Sequence, residues 1–309
     1  MSFAFLFPGQ GSQSLRMMDG FNDIPIVKAT FEEASAILGI NLWDMLTVDE
    51  SAIHRTINTQ PLMLAADIAT WRAWKKIGGA NPTWVAGHSL GEYSALVAAN
   101  VLTFSDALQI VRLRADAMQN AVPVGIGAMA AILGLDDQKV SQICQEAAIA
   151  GIVEPANFNS SEQIVIAGEI NAVNQAMEIA KNQGAKRVIL LPVSVPSHCS
   201  MMKEATQKLA NALELIAFKR PTFAVLQNVD AASHTDVNKI RQALIDQLCQ
   251  PVLWTAILAV MAKNGATAFA ECGPGKILTG LTKRMPQPID CFALTDALAL
   301  NLAKAKLNS

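Results

Sequence analysis

The sequence predicts an α/β protein in which a small β-α-β-β-α-β unit interrupts a larger α/β domain. Three observations carry this. Short apolar runs alternate with helical periodicity along the whole chain. The alternation changes its order between Pro123 and Pro192. Hydrophobic residues make up 51% of the 309 positions and charged ones 16%, so a large core can be buried and disorder is not expected.

Residues 4–7 read as a buried strand that runs into the loop Pro8-Gly9-Gln10-Gly11-Ser12-Gln13. Helical periodicity follows at 26–38 and at 61–77, where Leu62, Ala65, Ala66, Ala69 and Ala73 recur at three and four residues. Gly78-Gly79 ends that helix. A strand at 83–86 precedes a helix at 91–100, whose last residue, Asn100, tolerates the left-handed conformation of a helix end. Ser105 with Asp106 is expected to cap the next helix, which reaches residue 119. Beyond Pro123 the order is strand 128–133, helix 136–150, strands 152–157 and 164–167, helix 171–183 and strand 187–191. That is the ferredoxin-like split motif, which closes as a four-stranded sheet under two helices. The expected division is therefore 123–192 for the small domain, and 1–122 with 193–309 for the large one. Helices at 200–217, 237–250 and 252–264 and strands at 224–227 and 268–271 complete the large domain, followed by the turn Gly273-Pro274-Gly275.

Composition narrows the function. Lys and Arg number 24 against 26 Asp and Glu, and no basic block appears, which argues against a nucleic-acid or anionic-membrane surface. Cys144, Cys199, Cys249, Cys272 and Cys291 form no CxxC pair and no metal spacing with the four histidines. Reduced thiols, a cytoplasmic location and no metal are the expectation. The apolar start lacks a basic lead and meets Pro8-Gly9 at once, as a strand would and a secretory signal would not. The uncharged stretch 117–135 is broken by Pro123, Gly125 and Gly127, so it is not expected to span a bilayer.

The chemistry centres on Gly87-His88-Ser89-Leu90-Gly91. A strand leads in and a helix leads out, the setting in which a Gly-x-Ser-x-Gly turn exposes a nucleophilic serine. The helix N-terminus turns free N–H groups toward the oxygen where negative charge develops. His88 adjoins Ser89, but neighbours at such a turn project in different directions, so a pocket-wall role is expected. His54 and His234 lie in polar stretches. His198 closes the apolar run 188–195 at Pro196-Ser197-His198, and strand ends are where catalytic groups collect in α/β folds. It is the candidate base, with helix capping as the alternative. No acidic residue presents itself as the third member, which leaves a dyad oriented by a carbonyl.

Four ordered segments then carry a resemblance: Phe7-Pro8-Gly9-Gln10-Gly11-Ser12-Gln13, Gly87-His88-Ser89-Leu90-Gly91-Glu92-Tyr93-Ser94-Ala95-Leu96, Pro196-Ser197-His198 and Gly273-Pro274-Gly275-Lys276. Together they resemble the standalone bacterial malonyl-CoA:acyl carrier protein transacylases of type II fatty acid biosynthesis, from the first strand to Arg284. The resemblance implies an α/β-hydrolase-like large domain with a ferredoxin-like insert. It implies Ser89 as nucleophile, His198 as base, and the backbone N–H groups of Gln10 and Leu90 as oxyanion hole. It also implies that the main-chain carbonyl of Gln247 orients the histidine and that Arg114 binds the malonyl carboxylate. Helical geometry keeps Arg112 and Arg114 from sharing a face and cannot choose between them; the resemblance selects Arg114. The implied reaction moves malonyl from malonyl-CoA to acyl carrier protein without a cofactor. Acyl carrier protein is acidic, which makes Lys186, Arg187, Lys276, Lys283 and Arg284 candidates for its docking, beside the alternative of an ordinary solvated surface. Asn100 and Cys272 depart from the glycine and aliphatic residue expected there. A serine esterase or thioesterase is a rival reading, though it has no need of a carboxylate-binding arginine. A dinucleotide site after Gly9-x-Gly11 is another, weakened because Ser14 stands where a third glycine is required.

Overall fold

The computed structural model describes residues 2–48, 50–193 and 195–308. At its centre is β1 (Phe3–Phe7), whose five residues are all buried. Helices α1 (Pro25–Leu38), α2 (Leu42–Val48), α3 (Glu50–His54) and α4 (Thr56–Lys76) follow it. Next come β2 (Trp84–Gly87), α5 (Gly91–Ala98) and α6 (Phe104–Ala121). The middle of the chain forms β3 (Gly127–Leu133), α7 (Asp137–Ala147), β4 (Val153–Ser160), β5 (Gln163–Glu169), α8 (Ile170–Asn182) and β6 (Arg187–Leu190). The last part alternates α9 (Lys203–Glu214), β7 (Ala224–Leu226), α10 (Val237–Asp246) and α11 (Trp254–Lys263) with β8 (Ala268–Glu271), α12 (Ile277–Thr282), β9 (Cys291–Ala293) and α13 (Ala297–Leu307).

The larger sheet runs β7-β2-β1-β8-β9, with every pair parallel. A parallel sheet must be covered on both faces, and the pleat of β1 serves each in turn. Phe3, Phe5 and Phe7 point to one face, where Phe5 meets Trp71 and Trp74 of α4 edge-on at 5.5 and 5.3 Å between ring centroids. Ala4 and Leu6 point to the other and pack with Trp254, Ile257, Leu258 and Met261 of α11. Each aromatic buried in this way contributes about 1.5–3 kcal/mol.

The smaller sheet is antiparallel in the order β4-β5-β3-β6. Ala128, Ala130 and Ile132 of β3 face α7 and α8, packing with Val140, Ile143, Val173 and Ala176. Met129 and Ala131 face the opposite way, with Val165, Ala167, Leu191 and Val193. That second apolar face looks into the cleft described below.

Several boundaries differ from the expectation, each for a local reason. Thr103, and not Ser105, caps α6, accepting from the Asp106 backbone N–H. The stretch expected as one helix at 200–217 opens with a 3₁₀ turn at Ser200–Met202 before α9. The helix expected from 252 begins only at Trp254, because Val252 pairs its backbone with Ala156 and Phe158 of β4. α10 ends at Asp246, four residues short of expectation, where the backbone N–H groups of Cys249 and Gln250 both turn back to the Asp246 carbonyl. Helices α2, α3, α12 and α13 and strand β9 were not anticipated. Ser194, inside the apolar run 188–195, lies outside the described residues. Among the described residues no helix is long and apolar enough to cross a membrane.

Candidate active site

β2 ends at Gly87 and α5 begins at Gly91, so Ser89 sits on the turn between them. Its φ is +52°, a left-handed conformation that a non-glycine residue holds only under strain. The flanking glycines are required by close approach. A Cβ on Gly87 would lie 1.8 Å from the Gly91 carbonyl carbon, and one on Gly91 would lie 2.1 Å from the Phe7 oxygen. Asn228, just past β7, braces the turn. It accepts from the Ser89 backbone N–H at 2.7 Å and donates from Nδ2 to the Gly87 carbonyl at 2.7 Å.

His198 comes to Ser89 from the turn after the run that ends at Val195, also with positive φ, +64°. Its Nε2 is 2.7 Å from Ser89 Oγ, and its Nδ1 is 2.7 Å from the main-chain oxygen of Gln247. A carbonyl can only accept, so Nδ1 carries the hydrogen and the Nε2 lone pair faces the serine hydroxyl. Burial, with the charge of Arg114 adding to it and the Gln247 carbonyl opposing both, lowers the imidazole pKa to about 3. At neutral pH the ring is therefore unprotonated and able to take the serine proton.

Arg114 lies on the buried face of α6, 1% exposed. Nη1 donates to Gln60 Oε1 at 2.9 Å, and Nη2 donates to Gln247 Oε1 at 3.0 Å and to Ser89 Oγ at 3.2 Å. No carboxylate pairs with it among the described residues, and its Nε has no partner there. Arg112, two residues earlier, turns away and donates to the Ile57 carbonyl at 3.0 Å. Gln10 and Leu90 line the same cleft as Ser89, Arg114 and His198, together with the apolar Met118, Met129, Val193 and Val195. Among the described residues neither the Gln10 nor the Leu90 backbone N–H has a protein acceptor. The loop carrying Gln10 lies against the serine turn: a Cβ on Gly9 would be 2.4 Å from the His88 oxygen.

Of the six residues expected to act on the acyl group, Gln10, Ser89, Leu90, Arg114 and His198 thus line one cleft, and Gln247 bonds both His198 and Arg114. His88 is held away from the serine hydroxyl, with Nε2 2.8 Å from Asn159 Oδ1 and its ring beside Trp254. His54 bonds Gln13 and His234 pairs with Asp230. Lys186, Arg187 and Arg284 border a separate cleft with Ser160, Ser161 and Glu162, where Lys186 pairs with Glu162 at 2.8 Å, whereas Lys276 and Lys283 do not line it. Sequence reasoning missed Gln60, Asn228 and Glu92 as parts of the cluster. Gln60 carries no local signal. Asn228 had one, a position at the carboxyl end of a strand, and Glu92 had another, the lone charged residue of a short and mostly apolar helix. Among the described residues no group of three or more His, Cys, Asp or Glu could hold a metal ion.

Comparison with known proteins follows the same lines. The acyl transferase domain family matches residues 4–287. A malonyl CoA-acyl carrier protein transacylase of Salmonella typhimurium is 49% identical over 97% of this chain and 98% of its own length. The solved malonyl CoA-acyl carrier protein transacylase of Coxiella burnetii superposes with a TM-score of 0.98 at 43% identity, covering 100% of this chain and 98% of that one. A malonyl-transacylase solved in complex with its type II polyketide acyl-carrier protein gives 0.97 at 46% identity, covering 99% of this chain and all of that one.

Proposed function

This chain belongs to the malonyl CoA-acyl carrier protein transacylase family of acyl transferases, and we propose on that premise that it moves malonyl from malonyl-CoA to the pantetheine thiol of acyl carrier protein in fatty acid biosynthesis. The observation that carries the malonyl assignment is Arg114, a buried guanidinium without a carboxylate partner among the described residues, 3.2 Å from the serine oxygen.

In this reading Ser89 Oγ attacks the thioester carbonyl while His198 Nε2 takes its proton. The backbone N–H groups of Gln10 and Leu90 receive the oxyanion, a contribution of roughly 3–4 kcal/mol for each well-placed donor. The tetrahedral intermediate collapses, coenzyme A leaves with the proton returned by His198, and a malonyl-serine ester remains. The carrier-protein thiol then attacks that ester as His198 takes its proton, and His198 returns that proton to Ser89 Oγ as the serine leaves. The free carboxylate of malonyl pairs with Arg114 through its planar fork. Acetyl would leave the guanidinium buried and unpaired, which opposes its binding. The basic rim at Lys186, Arg187 and Arg284 fits an acidic carrier.

The same reading extends to architecture. We take the parallel sheet with its helices as an α/β-hydrolase-like domain, 1–122 and 193–309, and the antiparallel unit as a ferredoxin-like insert at 123–192. The strand order β4-β5-β3-β6 under α7 and α8 supports it. Five free cysteines support a cytoplasmic enzyme.

Intact mass after mixing with malonyl-CoA tests the function. The expected result is one malonyl adduct on the native protein and none on Ser89→Ala. Release of free malonate without a thiol acceptor, at a rate matching transfer, would convert the reading to a hydrolase.

A further inference from the structure

Glu92 is fully buried on the first turn of α5, three residues past the serine, and the reaction as described leaves it without a task. Its contacts give it one. Oε2 accepts from the backbone N–H of Asn228 at 3.1 Å and from Gln247 Nε2 at 2.7 Å, while Oε1 has no partner among the described residues. The Asn228 N–H can only donate, so Oε2 is an acceptor. The Gln247 amide must therefore present Nε2 to Glu92, and its Oε1 faces Arg114 Nη2. Turned over, the amide would set its NH₂ against the guanidinium, donor against donor. Nε2 also donates to the Ser89 carbonyl at 3.0 Å, so its two hydrogens are both engaged.

Gln247 thus holds two functional groups with separate parts of one residue. Its main-chain oxygen takes the His198 Nδ1 hydrogen, and its side chain meets Arg114. We propose that Glu92 is a positioning residue: by accepting from Gln247 Nε2 it sets the direction of the Gln247 amide, and thereby aims Arg114 at the acyl group beside Ser89. The inference rests on the malonyl reading above and adds to it the origin of the arginine's placement.

Charge is not needed for this task. A buried carboxylate with one oxygen unpartnered is strongly disfavoured, and burial raises the Glu92 pKa to about 8. The hydrogen bonds from Gln247 and Asn228 oppose that rise, Asp230 adds to it and Arg114 subtracts. A neutral Glu92 is the form that leaves the positive potential of Arg114 for the substrate carboxylate. Its carbonyl oxygen is also the one feature that glutamine reproduces.

The test compares E92Q, E92A and Gln247→Met with the native enzyme, reading kcat/KM of acyl-enzyme formation with malonyl-CoA and with acetyl-CoA. E92A strands two buried donors and should lower the malonyl-to-acetyl ratio by about tenfold or more. E92Q should recover it to within about threefold, since the acceptor is restored without charge. Gln247→Met keeps the main-chain carbonyl and should reproduce the E92A loss, which keeps the test open should E92A fail to fold. An unchanged ratio in a folded E92A, or in Gln247→Met, overturns the proposal. So does an E92Q as impaired as E92A, which would make Glu92 a counter-charge. A native enzyme that takes up no malonyl would refute the proposed function itself, and with it this inference; a discriminating native enzyme with an unchanged variant ratio refutes the inference alone.

Discussion

On the proposed function, replacing Arg114 by alanine should separate recognition of the malonyl carboxylate from the acyl chemistry beside it. The guanidinium is buried, keeps Nε unpartnered among the described residues, and stands 3.2 Å from Ser89 Oγ. A carboxylate bound by its fork gains two charge-assisted hydrogen bonds, each about 1.5–3 kcal/mol. Their loss should lower kcat/KM for malonyl-CoA by roughly 3–6 kcal/mol, or about 10²–10⁴-fold. Acetyl-CoA never makes those bonds, so its kcat/KM should change by less than about tenfold. Arg114→Lys keeps the charge without the fork and should fall between the two. The substitution also removes the donors to Gln60 Oε1 and Gln247 Oε1, at about 1–3 kcal/mol of stability for each acceptor left unpaired. A melting curve must accompany the kinetics. Quenched single-turnover reactions read by intact mass give both rate constants directly. Equal losses for the malonyl and acetyl substrates in a folded variant would refute the reasoning, because they would tie Arg114 to the serine and not to the carboxylate.

Three further outcomes follow from the same geometry. Because burial and the Arg114 charge together lower His198 to about 3, the acid limb of kcat/KM for serine acylation should lie well below the free-imidazole value of 6.5, and a limb near 6.5 would count against a buried neutral base. The sign for stability agrees: the folded pKa is depressed, so this contribution is complete above 6.5 and lost as pH falls toward 3. Gly87→Ala would force a Cβ to within 1.8 Å of the Gly91 carbonyl carbon, with only backbone to give way; the melting temperature should drop by roughly 5 °C or more, and an unshifted melt would contradict the tight turn. Reversing charge at Lys186 and Arg187 should raise KM for acyl carrier protein several-fold more than KM for malonyl-CoA, with the difference shrinking in high salt; equal effects would place the carrier elsewhere.

What could be read from the chain, and what could not, divides by the range of the interactions involved. The serine turn was legible because its constraints are local: two glycines, a strand before and a helix after, all between Trp84 and Ala98. His198 was legible because an apolar run leads into it. The β-α-β-β-α-β order was legible because its helices and strands alternate faces with clear periodicity, Ala128, Ala130 and Ile132 inward to the helices and Met129 and Ala131 to the cleft. Element ends were less so. Thr103 and Ser105 are both competent caps, and periodicity alone cannot separate candidates two residues apart. The start of α11 was misplaced because Val252 gives its backbone to β4, a strand of the other sheet.

The support of the site was the least legible part, and the reason is chemical. Gln247 orients His198 with a carbonyl that every residue possesses, so no side-chain pattern could announce it; only the family resemblance pointed there. Gln60, Asn228 and Glu92 reach the cluster from α4, the end of β7 and α5, and each meets its partner across a wide gap in sequence. Glu92 nonetheless carried a physical warning. An acid buried in Gly91–Ala98, among tyrosine, alanine, leucine and valine, costs several kcal/mol unless it is neutral or partnered. A sequence keeps such a residue only where another group depends on it. Here Glu92 meets the Gln247 side chain, whose oxygen accepts from Arg114, and the proposed positioning role rests on that chain of contacts.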